Sequence, residues 1–230
     1  MVKVKICGIT NPEDALAAIA AGADALGFVF CRQSARYIEL SEAARIVREI
    51  NPRVAKIGVL MDAEEEVIRQ AILESGLDAV QLHGHETPEY CSRLLGAEWV
   101  RKESTAPFLL EDVNPANRVR IIKAFRVRGP ETLSKIAAYE TDAWLLDSYQ
   151  ADQAGGTGKQ FDWDLACRAG QLGRPIILAG GLTVQNVAEA VRKVHPYAVD
   201  VSSGVESSPG RKDHGKVREF IAAAKTVGSR

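Results

Sequence analysis

The chain has few of the features that mark secreted, membrane or nucleic-acid-binding proteins. Its 230 residues hold four cysteines, Cys7, Cys31, Cys91 and Cys167, with no CxxC pair and no regular framework. That usage argues against a disulfide-stapled domain and suits a reducing cytosol. No stretch of 18 apolar residues occurs, and the amino terminus has no apolar core of the kind a secretory signal needs. Basic and acidic residues nearly cancel, 29 against 30, for a formal charge of −1. A chain so balanced has no global field for nucleic acid or an acidic membrane, so an anionic ligand must be held by a local site. These absences predict a cytoplasmic protein with no nucleic-acid and no membrane partner.

What is present is an alternation. Short β-rich runs at 2–7, 25–30, 55–60, 78–82, 119–125, 142–147, 175–178 and 197–201 are separated by segments of helical periodicity. The helical segments fall at 12–21, 41–50, 63–75, 88–95, 130–139, 162–172, 183–194 and 213–225. Gly22, Gly76 and Gly173 lie just past helices, where left-handed caps occur. Asn11, Ser41 and Thr183 fit amino-terminal caps, Pro12 fits a first helical position, and Thr87-Pro88 and Gly129-Pro130 open helices. Eight βα units with no break in composition predict one domain over 1–230, a single (β/α)8 TIM barrel of the α/β class. An open doubly wound sheet is the alternative, because periodicity does not report closure.

Two connections are long. Residues 148–161 follow the sixth strand and contain Gly155-Gly156-Thr157-Gly158-Lys159. A nucleotide loop fails there on spacing, since Gln153 stands where its first glycine belongs and Gln160 where its Ser or Thr belongs. A mobile active-face loop fits better, with Lys159 either meeting an anion or simply solvated. Residues 96–118 precede the fifth strand and so fall on the opposite face, as a peripheral decoration.

Parallel α/β folds place their chemistry at the carboxyl ends of strands. Cys7 ends the first run, ahead of the turn Gly8-Ile9-Thr10-Asn11-Pro12, and reads either as a small buried hydrophobe or as a reactive thiol. Asp147 ends the sixth run, as a turn residue or a pocket acid. Ala179-Gly180-Gly181-Leu182 follows the seventh run and Asp200-Val201-Ser202-Ser203-Gly204-Val205-Glu206 closes the eighth. Glycines admit a ligand close to backbone N–H groups, and turns after strands seven and eight are where barrels commonly bind phosphate. Arg32 and Arg36 lie in the loop after the second run, where one arginine can clamp a carboxylate. His83 and His85 flank Gly84, spaced so that a strand would put both on one face. No third ligand at local spacing completes a zinc set, so no metal is assigned and His83 is read as a pocket-lining residue.

In this order the residues resemble phosphoribosylanthranilate isomerases of tryptophan biosynthesis, over nearly the whole chain. The likeness rests on Val4-Lys5-Ile6-Cys7-Gly8-Ile9-Thr10, Gly27-Phe28-Val29-Phe30 with Ser34-Ala35-Arg36-Tyr37-Ile38, and Val80-Gln81-Leu82-His83-Gly84. It continues through Leu145-Leu146-Asp147-Ser148, Gly155-Gly156-Thr157-Gly158-Lys159 with Phe161-Asp162-Trp163, Leu178-Ala179-Gly180-Gly181-Leu182, and the segment from Asp200 to Glu206. The resemblance implies a (β/α)8 barrel performing an Amadori rearrangement on a small phosphorylated substrate, as a monomer or homodimer, without metal or organic cofactor. It implies Cys7 as general base, Asp147 as general acid, and Arg36 on the anthranilate carboxylate. It also implies Gly180, Gly181, Ser202, Ser203 and Gly204 on phosphate, with Asp200 lining the pocket near Cys7. Residues 96–118 depart from it as longer than the family's usual link. A related sugar-phosphate isomerase of histidine biosynthesis would share fold and reaction type, but resembles sequences with Asp in place of Cys7. A non-catalytic phosphate-binding barrel would have no use for both Cys7 and Asp147.

Overall fold

The computed structural model describes residues 1–101, 118–127, 129–148 and 163–227. The eight expected strands form as Lys3–Cys7 (β1), Ala25–Val29 (β2), Ala55–Leu60 (β3), Ala79–Leu82 (β4), Arg120–Val127 (β5), Ala143–Ser148 (β6), Ile176–Leu178 (β7) and Ala198–Val201 (β8). Between and after them lie helices Pro12–Ala20 (α1), Leu40–Glu49 (α2), Glu65–Ser75 (α3), Pro88–Gly96 (α4), Glu131–Ile136 (α5), Trp163–Gly170 (α6), Val187–Val194 (α7) and His214–Val227 (α8). Each strand pairs in parallel with the next, and Lys3–Ile6 of β1 pairs with Ala198–Val201 of β8. That last ladder closes the barrel and excludes the open sheet. A small antiparallel pair, Glu206–Ser208 (β9) and Arg211–Lys212 (β10), intervenes between β8 and α8.

Strand alternation sorts the chain into two cores. Val4, Ile6, Leu26, Phe28, Leu82, Leu146 and Val199 point outward into the layer shared with the helices. Ala25, Ile57, Ala79, Ile122, Leu145, Ile177 and Ala198 fill the barrel interior. Three of the four even strands, β2, β4 and β6, begin alike, with Asp24, Asp78 and Asp142 each preceding an alanine. Each carboxylate accepts from a backbone N–H of the preceding odd strand: Val4 at 2.9 Å, Lys56 at 2.9 Å and Ile121 at 2.8 Å. Three side chains thus pin the register of three strand pairs, where a one-residue slip would turn every side chain to the wrong core.

Caps differ from expectation at two helices. Asn11 and Thr87 accept from the N–H of Asp14 and Tyr90, as their sequence contexts predict, and Gly76 caps α3 in the left-handed region. Ser41 is not a cap, because α2 begins one residue earlier behind Glu39. Thr183 is not a cap either. The Asn186 side chain accepts from the Thr183 N–H and delays α7 to Val187. Of the 96–118 segment, a turn of 3-10 helix at Glu98–Arg101 is described. Residues 102–117, and the connection expected at 148–161 beyond Ser148, lie outside the described residues.

Candidate active site

The carboxyl ends of the strands surround a cavity of about 900 Å3. Its walls carry Cys7, Arg36, Gln81, His83, Arg126 and Asp147, with Gly180, Gly181, Asp200, Ser202, Ser203 and Gly204 on one side. Alternation explains who points in: Cys7 lies two residues beyond Lys5, Asp147 two beyond Leu145, and Asp200 two beyond Ala198, all on inward positions. A second cavity of about 580 Å3 sits at the opposite end of the barrel beside Lys3, Arg192 and His195, and among the described residues neither a cysteine nor a carboxylate side chain lines it.

The two glycine segments meet each other. Gly180 and Gly181 both adopt positive φ, at 78° and 65°, which turns the chain sharply after β7. Gly204 needs its missing side chain for space, since a Cβ there would lie 1.9 Å from the carbonyl oxygen of Leu182. Ser203–Val205 forms a single 3-10 turn directly after β8, so its amino end opens on the cavity wall.

Arg36 is not a free loop arginine. Its Nε and Nη2 donate to the two carboxylate oxygens of Glu206 at 2.8 and 2.7 Å. Glu206 also accepts from Lys212 Nζ at 2.9 Å, and the same ammonium lies 3.5 Å from Ser202 Oγ. Burial pushes the Glu206 carboxyl up, but bonds from Arg36 and Lys212 outweigh it and hold the group below its ordinary value. The bond to Glu206 raises Arg36 in turn. Arg32, the other arginine of this loop, is exposed and sits near Glu39 and the Tyr37 ring.

His83 and His85 part company, against the expectation of a shared face. Because β4 ends at Leu82, the chain turns between them. His83 Nε2 faces Asp147 Oδ2 at 3.3 Å, whereas His85 is exposed and pairs with Asp62. Among the described residues no cluster of three His, Cys, Asp or Glu side chains is placed to hold a metal. A row of polar contacts leads from Lys5 through Gln81 and His83 to Asp147. Lys5 Nζ donates to Gln81 Oε1 at 2.7 Å, which turns the amide's Nε2 toward His83 Nδ1 at 2.9 Å. With the amide so turned, Gln81 Nε2 has His83 Nδ1 beside it, and the Nε2 edge of the ring faces Asp147.

The Cys7 thiol is buried, with Val29 and Val59 packed beside it. Burial pushes it up, Lys5 and Lys212 oppose that, and Asp200 adds to it, for a net rise. Sequence reasoning did not assign roles to Lys5, Gln81, Arg126, Glu206 or Lys212. Lys5 left a signal, a charged residue at period two from Cys7 on a strand buried on both faces. Glu206 and Lys212 left none that spacing could read, being 170 and 176 residues from Arg36.

A closed parallel barrel with its working cavity at the strands' carboxyl ends defines a (β/α)8 barrel enzyme. Comparison with known proteins narrows the class. The family model for N-(5'phosphoribosyl)anthranilate (PRA) isomerase matches residues 4–107 and 109–223, and the chain belongs to that family. A curated relative from Geobacter sp. (strain M21), named N-(5'-phosphoribosyl)anthranilate isomerase, is 52% identical over 227 residues, spanning 99% of this chain and 100% of its own. The crystal structure of phosphoribosyl anthranilate isomerase from Thermotoga maritima superposes with TM-score 0.84 at 41% identity, over 98% of this chain and 100% of that one. A phosphoribosyl anthranilate isomerase solved in complex with reduced 1-(o-carboxyphenylamino)-1-deoxyribulose 5-phosphate superposes with TM-score 0.81 at 39% identity, over 98% and 100%. The family match runs through the 96–118 segment with a break only at residue 108.

Proposed function

We propose that the chain isomerises N-(5'-phosphoribosyl)anthranilate to 1-(2-carboxyphenylamino)-1-deoxyribulose 5-phosphate, a step of tryptophan biosynthesis, with Cys7 as base and Asp147 as acid. Family membership supports the reaction. The observation that carries the residue assignment is convergence: a thiol, a carboxyl, an arginine and two glycine turns from five separate strands and loops share one cavity. In this reading the Asp147 carboxyl gives a proton to the furanose ring oxygen as the C1–O bond breaks and the nitrogen lone pair forms a C1=N iminium. The Cys7 thiolate takes the proton on C2. The C2–H electrons become a C1=C2 double bond, and the C1=N pair returns to nitrogen. Loss of the C2 hydroxyl proton and gain of one at C1 yields the ketose, so the reaction balances as proton transfers alone.

Arg36 retains Nη1 beyond its pair with Glu206, and that edge is assigned to the anthranilate carboxylate. Gly180, Gly181, Ser202, Ser203 and Gly204 are assigned to the phosphate, with buried Lys212 behind Ser202 adding positive charge. His83 is assigned to orienting Asp147. The enzyme is read as cytoplasmic because its four cysteines are free thiols, as a reducing compartment keeps them. Among the described residues no helix is long and apolar enough to cross a membrane.

Loss of substrate fluorescence on turnover is the direct assay. Cys7→Ala and Asp147→Asn should each lower kcat by about 10²- to 10⁴-fold. Binding of a reduced product analogue and the melting temperature should change little. A folded Cys7→Ala protein turning over at the parental rate would remove the base assignment.

A further inference from the structure

We propose that Lys5 is the positioning residue that favours the thiolate of Cys7 against the burial of the thiol, with Asp200 and Gln81 fixing the lysine's ammonium in place. The inference rests on the reading of Cys7 as base. The Lys5 side chain is wholly buried beneath the cavity floor, where its ammonium donates to Gln81 at 2.7 Å and to Asp200 at 3.1 Å. An ammonium has three donors; these two bonds use two of them, and Lys5 is also within hydrogen-bonding reach of the Cys7 thiol. Lys5 and Cys7 sit two residues apart on β1, so both side chains face the interior. Gly27 lies across from them on β2, paired with Cys7. A Cβ at Gly27 would come 2.7 Å from Cys7 Sγ and 3.0 Å from Lys5 Cε, so thiol and lysine stem close on the same vacant point. Glycine there lets cation and thiol share the space.

The charge is not needed for packing. A buried ammonium–carboxylate pair is often no more stabilising than an apolar replacement of the same shape. Asp200 Oδ1, moreover, is buried with no hydrogen-bond partner among the described residues. What the pair offers is a fixed positive charge that offsets part of the burial opposing ionisation of the thiol. Four charged groups face Cys7: Lys5 on its own strand, Asp200 on β8, Lys212 on β10 and Arg36 from the loop after β2. Lys5 is the strongest of the influences that favour the thiolate, and Asp200 opposes it. Proton abstraction from C2 forms an S–H bond at the expense of C–H, so the fraction of Cys7 ready to act is set by this balance.

Alkylation of Cys7 by iodoacetamide, followed against pH by mass spectrometry of the Cys7 peptide in the intact folded chain, reads the thiolate without turnover. Lys5→Met should move the midpoint up by at least about one pH unit, slowing alkylation below it by about tenfold or more. Asp200→Asn should move it down. Because Lys5→Met strands a buried carboxylate, the double variant Lys5→Met/Asp200→Asn is compared with Asp200→Asn alone, and its midpoint should lie higher by a similar amount. A purely structural Lys5 would change the plateau rate and leave the midpoint where it was. Equal midpoints in Asp200→Asn and the double variant overturn the proposal even if Cys7→Ala is inactive. A shifted midpoint with a fully active Cys7→Ala protein overturns the base reading and, with it, the catalytic meaning of Lys5.

Discussion

Gly204→Ala puts the proposed phosphate cradle to the hardest test. The added methyl carbon would sit 1.9 Å from the Leu182 carbonyl oxygen and 3.2 Å from Val201 Cγ2. Carbon–oxygen contact is tolerable from about 3.3 Å, so the turns after β7 and β8 must part by more than ~1 Å. The obstructing oxygen belongs to the backbone and has no rotamer to escape into. Overpacking of this kind costs about 1–3 kcal/mol of stability. Parting the turns by that distance also breaks at least one bond to a phosphate oxygen, and a bond to a charged group is worth roughly 1.5–3 kcal/mol. At 1.36 kcal/mol per decade, KM and the inhibition constant of inorganic phosphate should rise about 10- to 150-fold. Steady-state kinetics with phosphate as competitor measures both, and a dephosphorylated product analogue serves as control, its affinity unchanged. If KM and the phosphate constant stay within about twofold of the parent while the protein is folded, the phosphate is not held between these turns.

Arg36→Met should weaken binding of a carboxylate-bearing product analogue by about 10- to 150-fold, from the loss of one charge-assisted bond. Calorimetric titration checks it, and unchanged affinity would move the carboxylate elsewhere, with Arg126 the next cation on the cavity wall. Glu206→Gln should destabilise by about 3–5 kcal/mol at neutral pH, because it leaves Lys212 buried without its carboxylate. The folded-state value of Glu206 is depressed, so its contribution is full above the unfolded carboxylate pKa of about 4.3 and fades as pH falls through the lower folded value. Melting temperatures of parent and variant should therefore converge only in acid; a constant gap from pH 3 to pH 8 would mean that the charge is not what stabilises.

The barrel was legible because its signals are local. Alternating runs, Gly76 and the Asn11–Pro12 pair each act within a few residues, and the structure keeps them. Ser41 and Thr183 misled for a local reason too, since neighbouring residues offered the backbone a competing arrangement. In the site, Cys7, Asp147 and the glycine turns were readable from their places at strand ends. That His85 turns away from His83 was not, because strand spacing predicts a shared face only while the strand lasts, and β4 stops at Leu82. The cluster of Arg36, Glu206 and Lys212 joins distant segments, and no period or spacing encodes it.

Glu206 ties together the residues assigned to the two ends of the ligand. One carboxylate grips the arginine assigned to the anthranilate end and, through Lys212, the serine assigned to the phosphate end. On those assignments the two ends of the substrate would be gauged against a single shared pivot rather than by two independent grips. A molecule with both anionic ends at the wrong separation can satisfy one grip only by dragging the other out of place. Such a pivot would work as a ruler, with selectivity for span set by how little it bends.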